Sequence, residues 1–277
     1  MTEIKIKAPA KINLSLQVLN KRADGFHNIN SLMCPIGIFD EIIICESNDF
    51  QFTCDLDLGI PNEENLVFRA AKKLIEKYNL DGKVKISLSK KIPAGGGLGG
   101  GSSDAANVIT GLCKYYEIAP LESDLIDLAA SLGSDIPFFI RNSSAIVGGR
   151  GEILDYIPFE LPWQLIIVAP DFGISTALAY KQLNRGNDSN IQQVDYRQII
   201  PQILETPELM KQYFRNDFVY PEMEYYDEIA NVVNTLYDNG AIYSNMSGSG
   251  SCCFGLFQNM PNVEEIKSKL TKYSLFI

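Results

Sequence analysis

Apolar residues recur at alternate positions from Ile4 to Val18, at Ile4, Ile6, Ile12, Leu14, Leu16 and Val18. A period of two predicts a strand or hairpin, interrupted where Pro9 removes a backbone donor, and it sets Lys11 and Asn13 together on the other face. A second β region is expected across Phe39 to Leu56. The spacing then changes to that of a helix, with Leu66, Val67, Ala70, Ala71, Leu74, Ile75 and Tyr78 marking one apolar stripe. Lys83 to Leu88 alternates again and runs through Lys90, Lys91 and Pro93 into a glycine run, Gly95 to Gly101. Beyond it, Ser102, Ser103 and Asp104 supply N-cap chemistry for a helix whose buried stripe is Ala105, Ala106, Ile109, Leu112 and Cys113. A further helix around Glu122 to Leu132 ends at Gly133, and SDIPFF leads to a strand at Ser144 to Val147.

The character of the chain changes near Glu160 to Trp163, where prolines flank the start of an apolar strand, QLIIVAP, followed by a helix start in STALAY. A boundary near Ile157 divides the chain into 1–157 and 158–277. The polar stretch NRGNDSNIQQ reads as a loop. A helix over Tyr225 to Leu236 turns Ile229, Val232, Val233 and Leu236 inward, and strands near Ala241 and at Cys252 to Phe257 flank a small-residue loop, SGSGS. The fold class is α+β in two lobes: a β-rich N-terminal α/β lobe carrying the glycine loop, and a C-terminal α+β lobe.

Composition narrows the function. A chain of 277 residues that is 46% hydrophobic buries a sizeable core, and a net charge of -10 argues against general affinity for nucleic acid or an anionic membrane. Any nucleotide must be gripped locally. Six cysteines without a CxxC pair fit buried reduced thiols better than disulfides or a zinc site. No signal-peptide pattern or membrane-length apolar run is visible, so a soluble cytoplasmic protein is expected. A single histidine, His27, leaves no multi-histidine metal site and weakens any hydrolase triad.

The strongest local signal is PAGGGLGGGSSDAA, Pro93 to Ala106, with six glycines in the seven residues from Gly95 to Gly101. Glycine tolerates positive φ and close backbone approach, so successive N–H groups can converge on an anion while the following helix adds free donors and a positive dipole end. A plain glycine turn is the competing reading; placement between a strand and a helix favours a phosphate cradle. Gly95, Gly97 and Gly100 satisfy GxGxxG, but a dinucleotide fold puts that loop in its first βα unit, with an acidic ribose ligand after the next strand. A Walker loop fails as well, because Gly101 stands where its lysine would be.

Four other segments carry candidate chemistry. Lys11 in APAKINLSL competes with a solvated strand lysine, and Asp135 in LGSDIPFF with a turn aspartate. Phe26 and His27 in RADGFHNI suit a nucleobase pocket by stacking and hydrogen bonding, or a packed loop. The glycines of SGSGS allow approach of a ligand or of another loop, or form a β-turn.

Taken in order, PAKINLSL, DGFH, PAGGGLGGGSSDAA, LGSDIPFF and SGSGS resemble the GHMP kinase superfamily over nearly the whole chain. Within it, DGFH and the extended glycine loop are similar to the branch whose acceptor is a cytidine diphosphate-linked erythritol. The resemblance implies a two-lobed GHMP kinase fold, with 1–157 as its ATP-binding N-terminal domain. The implied activity is ATP- and Mg2+-dependent phosphorylation of that polyol's 2-hydroxyl, in non-mevalonate isoprenoid precursor synthesis, with no obligate protein partner. It implies Lys11 and Asp135 as catalytic residues. The ATP phosphates would meet Pro93, Ala94, Gly95, Gly96, Gly97, Leu98, Gly99, Gly100, Gly101, Ser102 and Ser103, and the adenosine Asn65, Leu66 and Lys90. Asn13, Phe26 and His27 would face the cytidine-bearing substrate, Tyr180 would close the other side of the cytosine, and Ser103 is a candidate Mg2+ ligand. Another GHMP kinase with a different acceptor, a nicotinamide-dependent oxidoreductase and a non-catalytic nucleotide-binding regulator remain the alternatives.

Overall fold

The alternation at the start of the chain forms one long strand, β1 (Glu3–Lys21), that runs through Pro9 and returns as β2 (His27–Glu46). The expected interruption at Pro9 does not occur. Within its sheet β1 pairs with β2, so a missing donor is tolerated as on an edge strand. A computed structural model describes residues 3–183, 185–186 and 191–277; the polar stretch expected as a loop at 184–193 lies partly outside them. The chain forms two compact units, and both β1 and β2 contribute to each.

The first unit comprises the chain up to Lys11, Pro35–Ala94 and Gly99–Ser143. Its further elements are β3 (Gln51–Cys54), α1 (Leu66–Lys77), β4 (Val84–Ser89), α2 (Gly100–Tyr115), α3 (Glu122–Ala130) and α4 (Phe138–Arg141). β4 pairs antiparallel with β2, Glu41 opposite Ser89, and parallel with β3, Gln51 opposite Lys85. The apolar stripe of α1 buries Val67, Ala70, Ala71 and Leu74, and the helix packs on α2. Sequence alternation anticipates one β region from 39 to 56; instead β2 ends at Glu46 and β3 is separate. The first half of β2 is missed because it is buried at nearly every position from Ile29 to Ile36, and such a strand does not alternate.

The second unit comprises Ile12–Cys34, Gly95–Leu98 and Ser144–Ile277. It adds β5 (Ala145–Gly148), β6 (Ile153–Tyr156), β7 (Gln164–Ala169), α5 (Thr176–Leu183), α6 (Tyr196–Glu205), α7 (Met210–Tyr213) and α8 (Tyr226–Asp238). Then follow β8 (Tyr243–Met246), β9 (Cys253–Phe257), α9 (Val263–Lys269) and β10 (Ser274–Phe276). β5 pairs with the first half of β2, Ser31 opposite Val147, and with β6. A four-stranded antiparallel sheet has the order β10-β7-β9-β8, with α8 against β8 and β9. No helix among the described residues is long and apolar enough to cross a membrane. All six cysteines are free thiols; burial pushes Cys34 and Cys252 up to about 12.

Candidate active site

In the first unit, Lys11 is 3% exposed, and its Nζ lies 3.8 Å from Oδ2 of Asp135. Asp135 follows α3 in the turn that enters α4, so its carboxylate is half-exposed while the lysine beneath it is not. Burial pulls the Lys11 ammonium below its ordinary pKa, and the charge of Asp135 acts in the opposite direction. The pair therefore offers a desolvated cation beside an accessible carboxylate, whatever their distance in sequence.

The start of α2 comes up against this pair. Gly99 caps the helix with φ 72°, and a Cβ there would lie 3.1 Å from Cγ of Lys11 and 2.9 Å from the Phe139 ring. Only glycine combines that positive φ with that approach. The N-cap is thus Gly99, with no side-chain cap, rather than Ser102, Ser103 or Asp104, which lie inside the helix. The first internal bond runs from the Ser103 amide to the Gly99 carbonyl, 2.8 Å. The amides of Gly100, Gly101 and Ser102 are left without an intrahelical acceptor, at the positive end of a helix of 16 residues. Ser103 itself is fully buried, its hydroxyl within 3.3 Å of the Asn107 side-chain amide.

The other first-unit candidates have structural duties. Asn65 caps α1, its Oδ1 accepting the Val67 amide at 2.9 Å. Leu66 is half-buried beside Gly101, whose added Cβ would lie 3.8 Å from Leu66 Cδ1. The Lys90 ammonium is held by two buried carboxylates, Asp40 and, at 2.7 Å, Asp104. Burial pushes Asp104 up to about 7, opposed by Lys90 and reinforced by Asp40. Pro93 is half-buried and Ala94 exposed.

Gly95 to Leu98 belong to the second unit, where they are fastened to SGSGS. The Gly96 carbonyl accepts the Cys252 amide at 3.0 Å, and the Gly97 carbonyl accepts the Ser247 hydroxyl at 3.0 Å. Gly95 and Gly97 have φ of 70° and 77°, and a Cβ on Gly97 would strike the Ser247 carbonyl. SGSGS thus approaches another loop, one of its sequence options. Asn216, which no sequence pattern singles out, fixes SGSGS by donating to the carbonyls of Met246 and Gly248, each at 2.8 Å. The Ser247 hydroxyl also accepts the Asn13 amide, while the Asn13 side chain donates to Ser31 at 2.8 Å.

The aromatic candidates also meet in the second unit. His27 and Tyr180, on α5, stack with centroids 5.3 Å apart and planes at 15°, and His27 Nε2 lies 3.2 Å from the Arg185 carbonyl. Tyr180 packs edge-on against Phe218 at 4.8 Å. Phe26 stands 52% exposed, with the Arg150 guanidinium 5.0 Å above its ring. An exposed aromatic face next to a hydrogen-bonding imidazole is what a nucleobase requires.

Comparison with known proteins identifies the family. Residues 65–143 match the GHMP kinases N terminal domain and residues 204–274 the GHMP kinases C terminal domain. The chain is 35% identical over 272 residues to a 4-diphosphocytidyl-2-C-methyl-D-erythritol kinase of Syntrophomonas wolfei subsp. wolfei, covering 97% of this chain and 94% of that one. It is 38% identical over 262 residues to the kinase of the same name from Thermodesulfovibrio yellowstonii, covering 94% and 91%. A crystal structure of a 4-(cytidine 5'-diphospho)-2C-methyl-D-erythritol kinase superposes with TM-score 0.81 at 30% identity, covering 99% and 97%. A homoserine kinase from Cytophaga hutchinsonii shares the fold, with TM-score 0.66 at 18% identity. With that identity sustained over nearly its full length, the chain belongs to the GHMP kinases, in the family of the 4-diphosphocytidyl-2-C-methyl-D-erythritol kinases.

Proposed function

We propose that this kinase transfers the γ-phosphoryl group of ATP to the 2-hydroxyl of 4-diphosphocytidyl-2-C-methyl-D-erythritol, giving ADP and the 2-phosphate, a step of non-mevalonate isoprenoid precursor synthesis. The observation that carries the chemistry is the Lys11–Asp135 pair, a buried ammonium 3.8 Å from an accessible carboxylate, with the uncapped start of α2 against the lysine stem. Phosphoryl transfer has a loose transition state and asks mainly for positioning and charge neutralisation. In this reading Lys11 attracts the γ-phosphate, and the amides of Gly100, Gly101 and Ser102 receive phosphate oxygens. Asp135 orients the acceptor hydroxyl and takes its proton late, since a carboxylate is a weak base toward an alcohol. No covalent enzyme intermediate is needed.

The remaining assignments follow the same reading. Pro93 to Ser103 wrap the phosphates; Asn65, Leu66 and Lys90 lie by the adenosine. Asn13, Phe26, His27 and Tyr180 serve the cytidine moiety. Because His27 and Tyr180 already touch, with centroids 5.3 Å apart, a base does not fit between those two rings and stacks on Phe26. The ATP-binding N-terminal domain is assigned to 1–157 and the C-terminal domain to 158–277, a division that lies between the two family matches at 65–143 and 204–274. Among the described residues no group of three or more His, Cys, Asp or Glu side chains could hold a metal. The fully buried Ser103 hydroxyl offers a single oxygen ligand, a donor set that suits Mg2+ arriving on the nucleotide rather than a resident ion. Bound there, Mg2+ would neutralise phosphate charge.

The test is ADP release with Mg-ATP and the cytidyl acceptor, with mevalonate and homoserine in parallel. Turnover dependent on the cytidyl acceptor alone supports the proposal. Preference for another acceptor would overturn the assignment of Phe26 and His27, and absence of turnover on all three would overturn the kinase mechanism.

A further inference from the structure

Asp40 and Asp104 have no part in the chemistry above, yet they are 0% and 1% exposed. Asp40 lies within β2. Its Oδ1 accepts the backbone amides of Lys91 and Ile92, the latter at 2.8 Å, and its Oδ2 takes the Lys90 ammonium. The same ammonium donates to Oδ2 of Asp104 at 2.7 Å. Asp55 completes the grip on this turn by accepting the Lys90 amide at 2.9 Å.

These contacts join two ends. Lys90, Lys91 and Ile92 lead from β4 into the glycine run, and Asp104 sits near the start of the helix that leaves it. The join lies wholly within the first unit. It places the ammonium beside the free amides, for a Cβ on Gly100 would lie 3.2 Å from Lys90 Nζ.

Stability alone does not explain such a cluster. Two buried carboxylates share one ammonium, and Oδ1 of Asp104 is buried with no hydrogen-bond partner among the described residues. Replacing buried ion pairs by apolar side chains is often neutral or stabilising, so retaining a half-satisfied one indicates a geometric duty. Loop amides bind phosphate only if both loop ends are held, because an amide displaced by an ångström loses its hydrogen bond.

We propose that Asp104 and Asp40 are positioning residues for the nucleotide phosphates, acting through Lys90 to fix the entry and exit of the glycine loop. The inference rests on reading that loop as the ATP phosphate site. It assigns to Lys90 a structural grip on the loop in addition to any contact with adenosine.

The test compares Asp104→Ala, Asp104→Asn and the parent in the full chain, by steady-state kinetics with ATP and acceptor varied separately and by thermal melting. Asparagine keeps an acceptor for Lys90; alanine does not. Asp104→Ala is expected to raise the KM for ATP about tenfold or more, with the acceptor KM and kcat changed less than about threefold, and Asp104→Asn to restore the ATP KM. A merely structural role would lower the melting temperature and the active fraction and leave KM unmoved. That result, or failure of Asp104→Asn to rescue, overturns the inference. If Asp104→Ala does not fold, Asp104→Leu replaces it, with the same ATP KM as the criterion. A parent that shows no ATP turnover fails the phosphate-site reading itself, and the two failures are thereby distinct.

Discussion

An ammonium that is 3% exposed has lost nearly all its hydration, and burial lowers its pKa by more than the Asp135 carboxylate 3.8 Å away raises it. The proposed role of Lys11 as the cation that attracts the γ-phosphate is open to direct test. Lys11→Met should lower kcat by roughly 10²-fold or more, comparable to losing one preorganised charge-stabilising group, without lowering the melting temperature, because methionine fills the site without a buried charge. Asp135→Asn should lower kcat by about 10²- to 10⁴-fold, the range for a positioned proton acceptor, with little change in ATP KM. Equal loss of ATP affinity and rate in either variant would contradict these roles. A pH dependence follows from the lysine. Its pKa lies below the ordinary 10.5, so the charged form is lost as pH rises through that lowered value. The alkaline fall in kcat should thus begin at a lower pH than for a solvated lysine, and a rate flat to pH 10.5 would exclude a required Lys11 ammonium. At this scale sequence motifs single out Lys11, Asp135 and His27, and the structure brings Lys11 to Asp135 and His27 to Tyr180. The sequence is silent on Asp40 and Asn216, whose importance comes from burial and from partners far along the chain.

Helix α2 illustrates how an element obeys two masters. Its N-terminal residues are chosen for open amides: Gly99 caps without a side chain, and Gly100 and Gly101 follow, poor helix formers that leave room at the donors. Its interior is chosen for packing. At Gly111 a Cβ would collide with Cδ1 of Ile6 on β1 and come within 3.0 Å of Cδ1 of Ile44 on β2. Gly111→Ala gains about 1 kcal/mol in helix propensity but costs about 1–3 kcal/mol in overpacking. The second effect wins, and a net loss near 1 kcal/mol should appear as a lowered denaturation midpoint with an unchanged denaturant slope. A stabilised variant would show that the helix shifts freely on the strands. Elements with one apolar stripe, such as α1 and α8, were legible from spacing. α6 was not anticipated: Pro201 sits inside it and reads as a breaker, while tertiary burial of Tyr196, Ile199 and Ile203 sustains it. Ser102, Ser103 and Asp104 look like caps and so place the expected helix start two or more residues after Gly100, because nothing local reveals that Gly99 already serves in a left-handed conformation.

At the scale of the molecule, continuity in sequence and continuity in packing diverge. The change of composition near Ile157 suggests a sequence boundary there, but the second compact unit, which includes Ser144–Ile277, also contains Ile12–Cys34 and Gly95–Leu98. Hydrogen bonds tie Ile12–Cys34 to the rest of that unit. The Leu16 amide donates to the Arg215 carbonyl at 2.7 Å, and the Asp217 amide to the Leu16 carbonyl at 2.9 Å. The Tyr196 hydroxyl donates to the Asn30 carbonyl at 3.1 Å and lies 3.0 Å from the Ser15 hydroxyl, and β5 takes its register from β2. Leu14, Leu16 and Val18 are 0–4% exposed, as is Ile12. Burying four such side chains contributes about 1.5–3 kcal/mol each, roughly 6–12 kcal/mol together, which is comparable to the whole stability of a typical domain, about 5–15 kcal/mol. A fragment of 158–277 is therefore expected to lack a cooperative thermal transition and to bind a dye for exposed apolar surface, although it contains the complete β10-β7-β9-β8 sheet. A sharp melt of that fragment, with near-ultraviolet circular dichroism matching its share of the intact chain, would show that the sheet and α8 suffice. Absence of a transition would mean that the N-terminal hairpin is part of the second unit's core, and that the Phe26 and His27 loop is held in place by the same packing that holds the unit together.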